Sequence, residues 1–282
     1  MIWVDQFIPF EYNDAKPGGY TGVISVTIGS ETKRVPVGLT IWDFALPNEN
    51  HFKASLQEEN FLSDKTEKQE LEIYQLFKRN RMVLMDPTYK PVLENLPGHH
   101  VAINWNTFDH RLKKYFSGDA FTSKFGYNYG PGYGEPLEVF MLPFDVYGKH
   151  GTSGWPDIGK PDVERNQKNN EKYSSTIKKV RTHLSALIDT HKTDIFVYLN
   201  GLDESYSPEA LDRMVYFGNL FKKDYPEAQF RVDGAYDQKA MRIIGKSIDA
   251  WASHTINYNI EVIREYRPLG VRAWVSRSAV RR

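Results

Sequence analysis

Apolar and polar positions alternate along the first part of the chain with the two-residue period of half-buried β-strands. Residues 24–28 (ISVTI) show this alternation, and it returns over 35–41 (VPVGLTI). The intervening residues 29–32 (GSET) predict the turn of a hairpin, and residues 1–10 predict a third strand. Three strands do not build a sandwich of their own, so this part must pack on the rest of the chain or on strands outside this sequence.

From about Asn50 the pattern changes to apolar runs separated by stretches with helical spacing. The clearest helix has apolar positions from Tyr173 to Ile188, and Ser207 followed by Pro208 predicts the start of another. Asp64 and Glu67 predict a capping box before a helix. The apolar runs predict seven strands, at 52–57, 81–86, 138–144, 194–201, 229–234, 247–253 and 271–276.

Strands that alternate with helices predict an α/β fold with a parallel sheet. Both an open doubly wound sheet and a (β/α)8-type barrel fit this order, and the chain length favours the barrel. Residues 276–282 (SRSAVRR) do not resemble an eighth strand. We therefore predict an incomplete (β/α)8-type barrel over residues 48–282, truncated at its C-terminus, preceded by a partial antiparallel β-sandwich over residues 1–47.

Composition limits the classes of partner that we expect this chain to bind. Lys+Arg and Asp+Glu both number 36, so the chain has no net charge that would draw it to nucleic acid or to an anionic membrane. No apolar run reaches the ~20 residues of a membrane span. The chain contains no cysteine, which removes thiolate sites but leaves the compartment, including export, undecided. The N-terminus is not a signal peptide, and the oligomeric state is not encoded in any visible pattern.

Acidic residues follow or close several of the predicted strands. In a barrel the carboxyl ends of the strands lie on one face, where active sites are found. Aspartate is also common at strand exits and helix caps for purely structural reasons. The residues in question are Asp86, Asp145, Asp203, Asp233 and Asp249.

The strongest candidate site is the segment 198–205 (YLNGLDES), which follows a buried strand and precedes a capped helix. Neighbouring residues on a strand point to opposite faces, so Asp203 and Glu204 share a pocket only if the chain bends there. Gly201 would permit the bend. Two carboxylates held close favour one protonated acid beside one ionised group, which is the pairing that glycoside cleavage requires.

Several segments resemble glycoside hydrolase family 123 and the related domain of unknown function 4091. They are 16–30 with 35–47, 52–57, 108–121 and 195–205. The resemblance implies that residues 1–47 are the C-terminal part of a β-sandwich domain and that the rest is a catalytic barrel. It also implies β-N-acetylgalactosaminidase activity by a substrate-assisted, retaining mechanism, with a glycan substrate and no metal or cofactor.

By matching positions, the resemblance implies that Glu204 is the general acid/base and that Asp203 orients the 2-acetamido group of the sugar. Ser205 stands where relatives often have proline. Seven further residues are candidates for substrate binding, namely Asp145, Tyr147, Asp233, Asp249, Trp251, Tyr258 and Trp274. For the aromatic residues among them, core packing is an equally good interpretation. His150 is a weaker candidate, and His99 with His100 indicates a solvated turn rather than a metal site.

Two alternatives remain open at this stage. In the first, Glu204 is the acid of an ordinary glycosidase, and Asp145, Asp233 or Asp249 supplies the second carboxylate. In the second, the protein is a non-catalytic carbohydrate-binding or structural protein built on a glycosidase-like barrel.

Overall fold

The structure is a computed structural model of the chain. It describes residues 4, 6, 8–9, 15–57, 61–85, 89–95, 101–147, 154–158 and 167–276. The chain divides into two compact units, Met1–Asn50 and His51–Arg282. The assignment of the first unit as a sandwich remnant and of the second as a catalytic domain stays a prediction.

The first unit contains the predicted hairpin. Strands β1 (Gly18–Ile28) and β2 (Glu31–Ile41) pair antiparallel over their full lengths, with Ile24 opposite Val35. Because directly opposite residues share a face, the apolar residues of both strands line one side of the ribbon. Many of these side chains are exposed to solvent, including Ile28 and Val35. The third strand predicted over residues 1–10 falls largely outside the described residues.

The second unit contains parallel strands at all seven predicted positions. They are β3 (Ala54–Gln57), β4 (Met82–Met85), β7 (Val139–Met141), β8 (Asp194–Tyr198), β9 (Ala228–Asp233), β10 (Ala250–His254) and β11 (Arg272–Ser276). An antiparallel hairpin of β5 (Val92–Asn95) and β6 (Val101–Asn104) lies within the stretch that the sequence indicated to be mostly loop.

The prediction of a (β/α)8-type barrel is wrong. Five strands form one parallel sheet in the order β11-β10-β9-β8-β7, and β3 with β4 forms a separate parallel pair. Among the described residues no hydrogen-bonded ladder joins this pair to β7 or to β11, so the strands do not close into a ring. The architecture is a half-barrel. Apolar periodicity identifies the strands, but closure depends on ladders between distant segments, which periodicity does not report.

The five-stranded sheet is nevertheless strongly curved. The ring of Phe196 on β8 packs edge-on against Trp274 on β11, although two strands lie between β8 and β11, with 5.3 Å between ring centroids. At the amino ends of the strands, the Asp194 carboxylate binds Lys53 Nζ at 2.6 Å and Arg272 Nη1 at 3.1 Å. Asp194 thus connects the first and last strand regions of the unit across the concave side.

Alternate residues of each strand divide the interior into two cores. On the concave side a small cluster unites β4, β7, β8 and β10 through Val83, Met85, Val139, Met141, Phe196, Tyr198 and Ala250. On the convex side a larger core packs the sheet against the helices, with Phe144 in edge-on contact with Phe217 and Phe221. This second core holds the strands in place beneath the site described below.

Six helices accompany the strands in the described part of the second unit. They are α1 (Glu67–Arg79), α2 (Asn106–Phe116), α3 (Gln167–Leu184), α4 (Pro208–Asp224), α5 (Gln238–Ile244) and α6 (Ile260–Tyr266). Within the described residues none is long and apolar enough to cross a membrane.

Local capping signals were predicted with mixed success. The start of α4 is confirmed, since Ser207 accepts a hydrogen bond from Ala210 N and Pro208 is the first helical residue. The capping box of α1 lies two residues later than predicted, because Thr66 rather than Asp64 pairs with the residue three positions on, Gln69.

The buried side of α1 combines polar and apolar residues: Glu70, Lys78 and Tyr74 are buried, and Ile73 and Phe77 are partly buried against the larger core. Leu76 is 57% exposed, whereas Glu70 and Lys78 are buried. The Glu70 carboxylate accepts hydrogen bonds from Tyr115 Oη at 2.9 Å and Arg111 Nη2 at 2.8 Å. Burial of a charge is tolerated when it is paired and hydrogen-bonded in this way.

Lys78 anchors the glycine- and tyrosine-rich loop 126–136. Its Nζ donates to Pro136 O at 2.6 Å and to Glu138 Oε1 at 2.8 Å, and it lies over the ring of Phe121. A Cβ on Gly132 would lie 2.2 Å from Lys78 Cε, so only glycine fits there. The loop leads into the amino end of β7, whereas the candidate acids lie beyond the carboxyl end of β8.

We predict that Lys78→Met lowers the free energy of unfolding by ~3 kcal/mol, because the buried Glu138 carboxylate loses its counter-charge. The double variant Lys78→Met/Glu138→Leu should recover a substantial part of this loss, since neither charge is then buried alone. Urea unfolding measures both values. The control is Lys68→Met on the same helix, where the side chain is 84% exposed, and an equal effect of the two single substitutions would contradict the prediction.

Candidate active site

Both predicted catalytic carboxylates lie in the connection between β8 and α4. After Tyr198 the chain forms a short 3-10 turn over Asn200–Leu202, and Asp203 N donates to Asn200 O at 3.0 Å. Ser207 then begins α4. The strand has therefore ended before Asp203, which removes the alternation that would send its side chain and that of Glu204 to opposite faces.

Glu204 itself makes the bend. It has a φ of 48°, in the left-handed region, whereas Gly201 is not among the residues with positive φ. The expectation that Gly201 supplies the bend is therefore wrong. A non-glycine residue in this conformation costs ~1–2 kcal/mol. The Glu204 N–H donates to Asp233 O at 3.3 Å, which fastens the bend to the end of β9.

Asp203 faces the concave side of the sheet. The hydroxyl of Tyr198, an inward-facing residue of β8, is hydrogen-bonded to the Asp203 carboxylate. Burial and the charges of Asp233 and Asp203 raise the pKa of Tyr198, so this tyrosine stays a neutral donor. Burial, with smaller effects from Tyr206, Asp203 and other neighbours, likewise raises the pKa of Tyr236.

Glu204 also contacts the concave side. Its Oε1 lies 2.7 Å from Nε2 of His254, the last residue of β10, while its side chain is 48% exposed. The carboxylate is thus held at one oxygen and open to solvent. Both acids therefore contact side chains on the concave side of the sheet, as the chemistry of a paired acid and carboxylate requires.

A third carboxylate, Asp233 at the end of β9, lies beside the pair. Arg231 donates a hydrogen bond to each of its oxygens, from Nε to Oδ1 at 2.7 Å and from Nη2 to Oδ2 at 2.5 Å. Burial raises the pKa of Asp233, the Arg231 charge opposes this, and the charge of Asp203 adds to it. Asp233 is thus a buried, bidentate partner of Arg231 and a near neighbour of Asp203.

Aromatic rings form the floor beneath these groups. The Arg231 guanidinium lies 5.4 Å from the ring centroid of Tyr198 and 5.7 Å from that of Trp274. Trp274 is half-buried on the concave face of β11. Trp274, a predicted site residue, therefore contacts Arg231, which in turn binds Asp233. Trp274 does not contact the carboxylates directly.

Three predicted site residues lie away from the cluster. Asp249 precedes β10, where its Oδ1 pairs with Lys222 and its Oδ2 accepts from Phe230 N. A strand of five residues separates it from the His254 end by ~16 Å. Asp249 therefore does not close a strand, because it stands at the opposite end of one.

Trp251 and Tyr147 belong to the convex core. Trp251 is 1% exposed, and its indole Nε1 donates to Gly234 O at 2.9 Å. Tyr147 packs edge-on against Phe217 with Arg213 over its ring, and burial raises its pKa. Both rings therefore serve packing against the helix layer.

The remaining candidates lie near the carboxyl ends of the strands. Asp145 follows β7, where its main chain pairs with Trp155 and its Oδ1 accepts from Tyr147 N. Tyr258 follows β10 and is 40% exposed. Asp86, His99, His100 and His150 lie outside the described residues. In the part of the chain that the structure covers, no group of three or more metal-ligating side chains is present.

One groove of the second unit lies away from these carboxylates. It has a volume of about 1430 Å³ and runs between α2, α3 and α4. The ring of Trp105 stacks on His183 there at 4.0 Å, and His183 Nε2 lies 2.7 Å from Asp109 Oδ1. Asp203 and Glu204 are not among the residues that line this groove.

Sequence reasoning missed Tyr198, Arg231 and His254. A usable signal was present, because alternation along each strand places Arg231 on the same face as Asp233, and Tyr198 directly follows the apolar run. His254 comes one residue beyond the segment that the sequence indicated as strand, so its face was not assigned.

The fold of this chain is similar to that of a solved glycoside hydrolase. One similar structure is a family 123 glycoside hydrolase from Clostridium perfringens, studied for glycolipid glycan hydrolysis, with a TM-score of 0.58 and 11% sequence identity. The match covers 96% of this chain and 52% of that chain, so this chain spans about half its length. The resemblance to family 123 is thus confirmed in the fold.

Sequence comparisons add nothing to this result. No protein-family model matches the chain, and no curated protein matches it.

We predict that Arg231→Met lowers the free energy of unfolding by an amount that depends on pH. The pKa of Asp233 is raised in the folded protein. Its contribution to the free energy of unfolding is therefore fully present below its unfolded pKa of ~3.9, and it is lost as pH rises through its folded pKa. Without Arg231 that folded pKa rises further, so the variant should lose ~3–5 kcal/mol at pH 7 and less at pH 5.

Urea unfolding at both pH values measures this difference. The double variant Arg231→Met/Asp233→Asn should lose the added pH dependence, and Arg264→Met, whose side chain is 69% exposed, is the surface control. Equal losses at the two pH values would show that Asp233 is not the responsible group.

Proposed function

We propose that the protein is a glycosidase that releases a terminal β-linked N-acetylhexosamine, with N-acetylgalactosamine as the favoured sugar. The observation that carries the proposal is the turn after β8, where Asp203 and Glu204 both contact concave-face side chains. The similarity in fold to a family 123 glycoside hydrolase supports the class of reaction.

In the first step Glu204 donates its proton to the glycosidic oxygen as the bond from that oxygen to the anomeric carbon breaks. The carbonyl oxygen of the sugar's own acetamide attacks the anomeric carbon and forms a cyclic intermediate. Asp203 accepts a hydrogen bond from the acetamide N–H and stabilises the positive charge that develops on the ring. Hydrogen bonding from Tyr198 orients Asp203 for this role.

In the second step water attacks the anomeric carbon and gives a proton to the Glu204 carboxylate. The bond between the acetamide oxygen and the anomeric carbon breaks, which restores the acetamide. Two displacements at one carbon retain its configuration. No protein nucleophile is used, so the carboxylate separations of ordinary retaining and inverting enzymes do not apply.

The arrangement disfavours Asp233 and Asp249 as the second carboxylate of an ordinary glycosidase. Both oxygens of Asp233 are bound by Arg231, so this carboxylate is poorly placed to attack a sugar or to activate water. Asp249 stands at the far end of its strand and is paired with Lys222.

We expect Glu204→Gln to lower the hydrolysis of 4-nitrophenyl N-acetyl-β-galactosaminide by ~10²–10⁴-fold, because general acid catalysis supplies about that factor. Release of 4-nitrophenol under steady-state conditions is the measurement. Glu209→Gln, a nearby solvent-exposed carboxylate on α4, is the matched control and should retain wild-type rates. Activity of Glu204→Gln within tenfold of wild type would remove Glu204 from this role.

Substrate-assisted chemistry also predicts a strict requirement for the acetamide. The wild-type protein should hydrolyse the N-acetylgalactosaminide but not 4-nitrophenyl β-galactoside, which lacks the attacking oxygen. Asp203→Asn should lose activity comparably while still binding an N-acetylgalactosamine-derived thiazoline, measured by calorimetry. Hydrolysis of both glycosides at similar rates would favour a protein nucleophile instead.

A further inference from the structure

His254 stands on a rigid element, whereas Glu204 does not. His254 ends β10, which is hydrogen-bonded to β9 on one side and to β11 on the other, and its own register partner is Ser276. Glu204 lies in a loop, and its side chain is 48% exposed. The 2.7 Å contact between Nε2 and Oε1 therefore ties an exposed carboxylate to the sheet.

We propose that His254 is the positioning residue of Glu204, an inference that rests on the proposed glycosidase function. It holds Oε1 and so directs Oε2 toward the glycosidic oxygen.

The energetic need for such a contact follows from the length of the glutamate side chain. Fixing a glutamate side chain removes much of its rotamer freedom, and a carboxylate in a solvent-exposed loop retains most of that freedom unless a contact holds it. A general acid must come within ~2.6–3.2 Å of its target oxygen. A misplacement of ~1 Å can lower the rate ~100-fold.

The charges around the pair show that His254 belongs to the same cluster. The pKa of Asp233 is affected first by burial and by Arg231, then by Asp203 and by His254, whose charge lowers it. Asp203, Glu204 and Asp233 all act on Tyr236. His254 therefore lies close to Glu204 and Asp233, on the β10 side of the cluster.

The test uses two leaving groups that differ in their need for a proton. His254→Leu should lower kcat on 4-nitrophenyl N-acetyl-β-galactosaminide by ~10–100-fold with little change in KM. On the 2,4-dinitrophenyl glycoside, whose leaving group departs without protonation, the loss should stay below ~3-fold. His254→Gln, whose amide can still donate to Oε1, should recover part of the rate. His110→Leu is the surface control, since its side chain is 74% exposed.

Equal losses on the two glycosides would show a merely structural role and overturn the inference. A second measurement does not require activity: the ¹⁵N NMR signal of His254 Nε2, identified by its loss in His254→Gln, should move on Glu204→Gln. An unmoved signal would show that the contact does not exist in solution. A wild-type protein inactive on both glycosides would instead reject the proposed function, and with it the catalytic purpose of the contact.

Discussion

The candidate site depends on the left-handed backbone at Glu204. This conformation turns the chain so that two consecutive acids share one cleft, which a regular strand forbids. Its cost of ~1–2 kcal/mol is offset locally by the hydrogen bond from Glu204 N to Asp233 O and by the well-capped start of α4. The two loops after β8 and β9 are thereby coupled, and the carboxylate of Asp233 is brought beside Asp203. Strain of this kind is typical of functional sites, where surrounding structure over-determines the geometry.

Electrostatic balance within the cleft follows from that geometry. Three carboxylates meet one arginine, one histidine and neutral tyrosines, and each carboxylate has a different partner. Asp203 accepts from Tyr198, Glu204 contacts His254, and Asp233 is held by Arg231. Distinct environments for chemically similar groups are how one site separates an acid from an ionised carboxylate.

The sequence predicted the positions of the strands, since apolar runs and capping residues are local signals. The seven parallel strands and the start of α4 followed from such signals, whereas the resemblance to family 123 came from matching sequence segments. Closure of the barrel did not, because it depends on ladders between segments that are distant in the chain. The burial of two charged residues on α1 could not be predicted for another reason. Glu70 and Lys78 are buried because residues distant in the sequence pair with them, namely Tyr115 and Arg111 with Glu70, and Glu138 with Lys78.

The same limit applied to the candidate residues. Trp251 and Trp274 are both on late strands, and the odd or even position of each decides whether it faces helices or cleft. Asp249 was mistaken for a strand end because its segment was placed a few residues too early. His254 lay just past that segment, so its pairing with Glu204 could emerge only from three-dimensional placement.

The ion cluster at the opposite end of the sheet has a consequence for how the chain acquires its fold. Asp194 is bound by Lys53, 141 residues earlier, and by Arg272, 78 residues later. Contacts of such long sequence separation form slowly, because the intervening chain must be ordered first. During synthesis the contact with Arg272 cannot form until β11 has left the ribosome. Until then part of the concave apolar surface stays open, and exposed apolar surface of this kind favours aggregation.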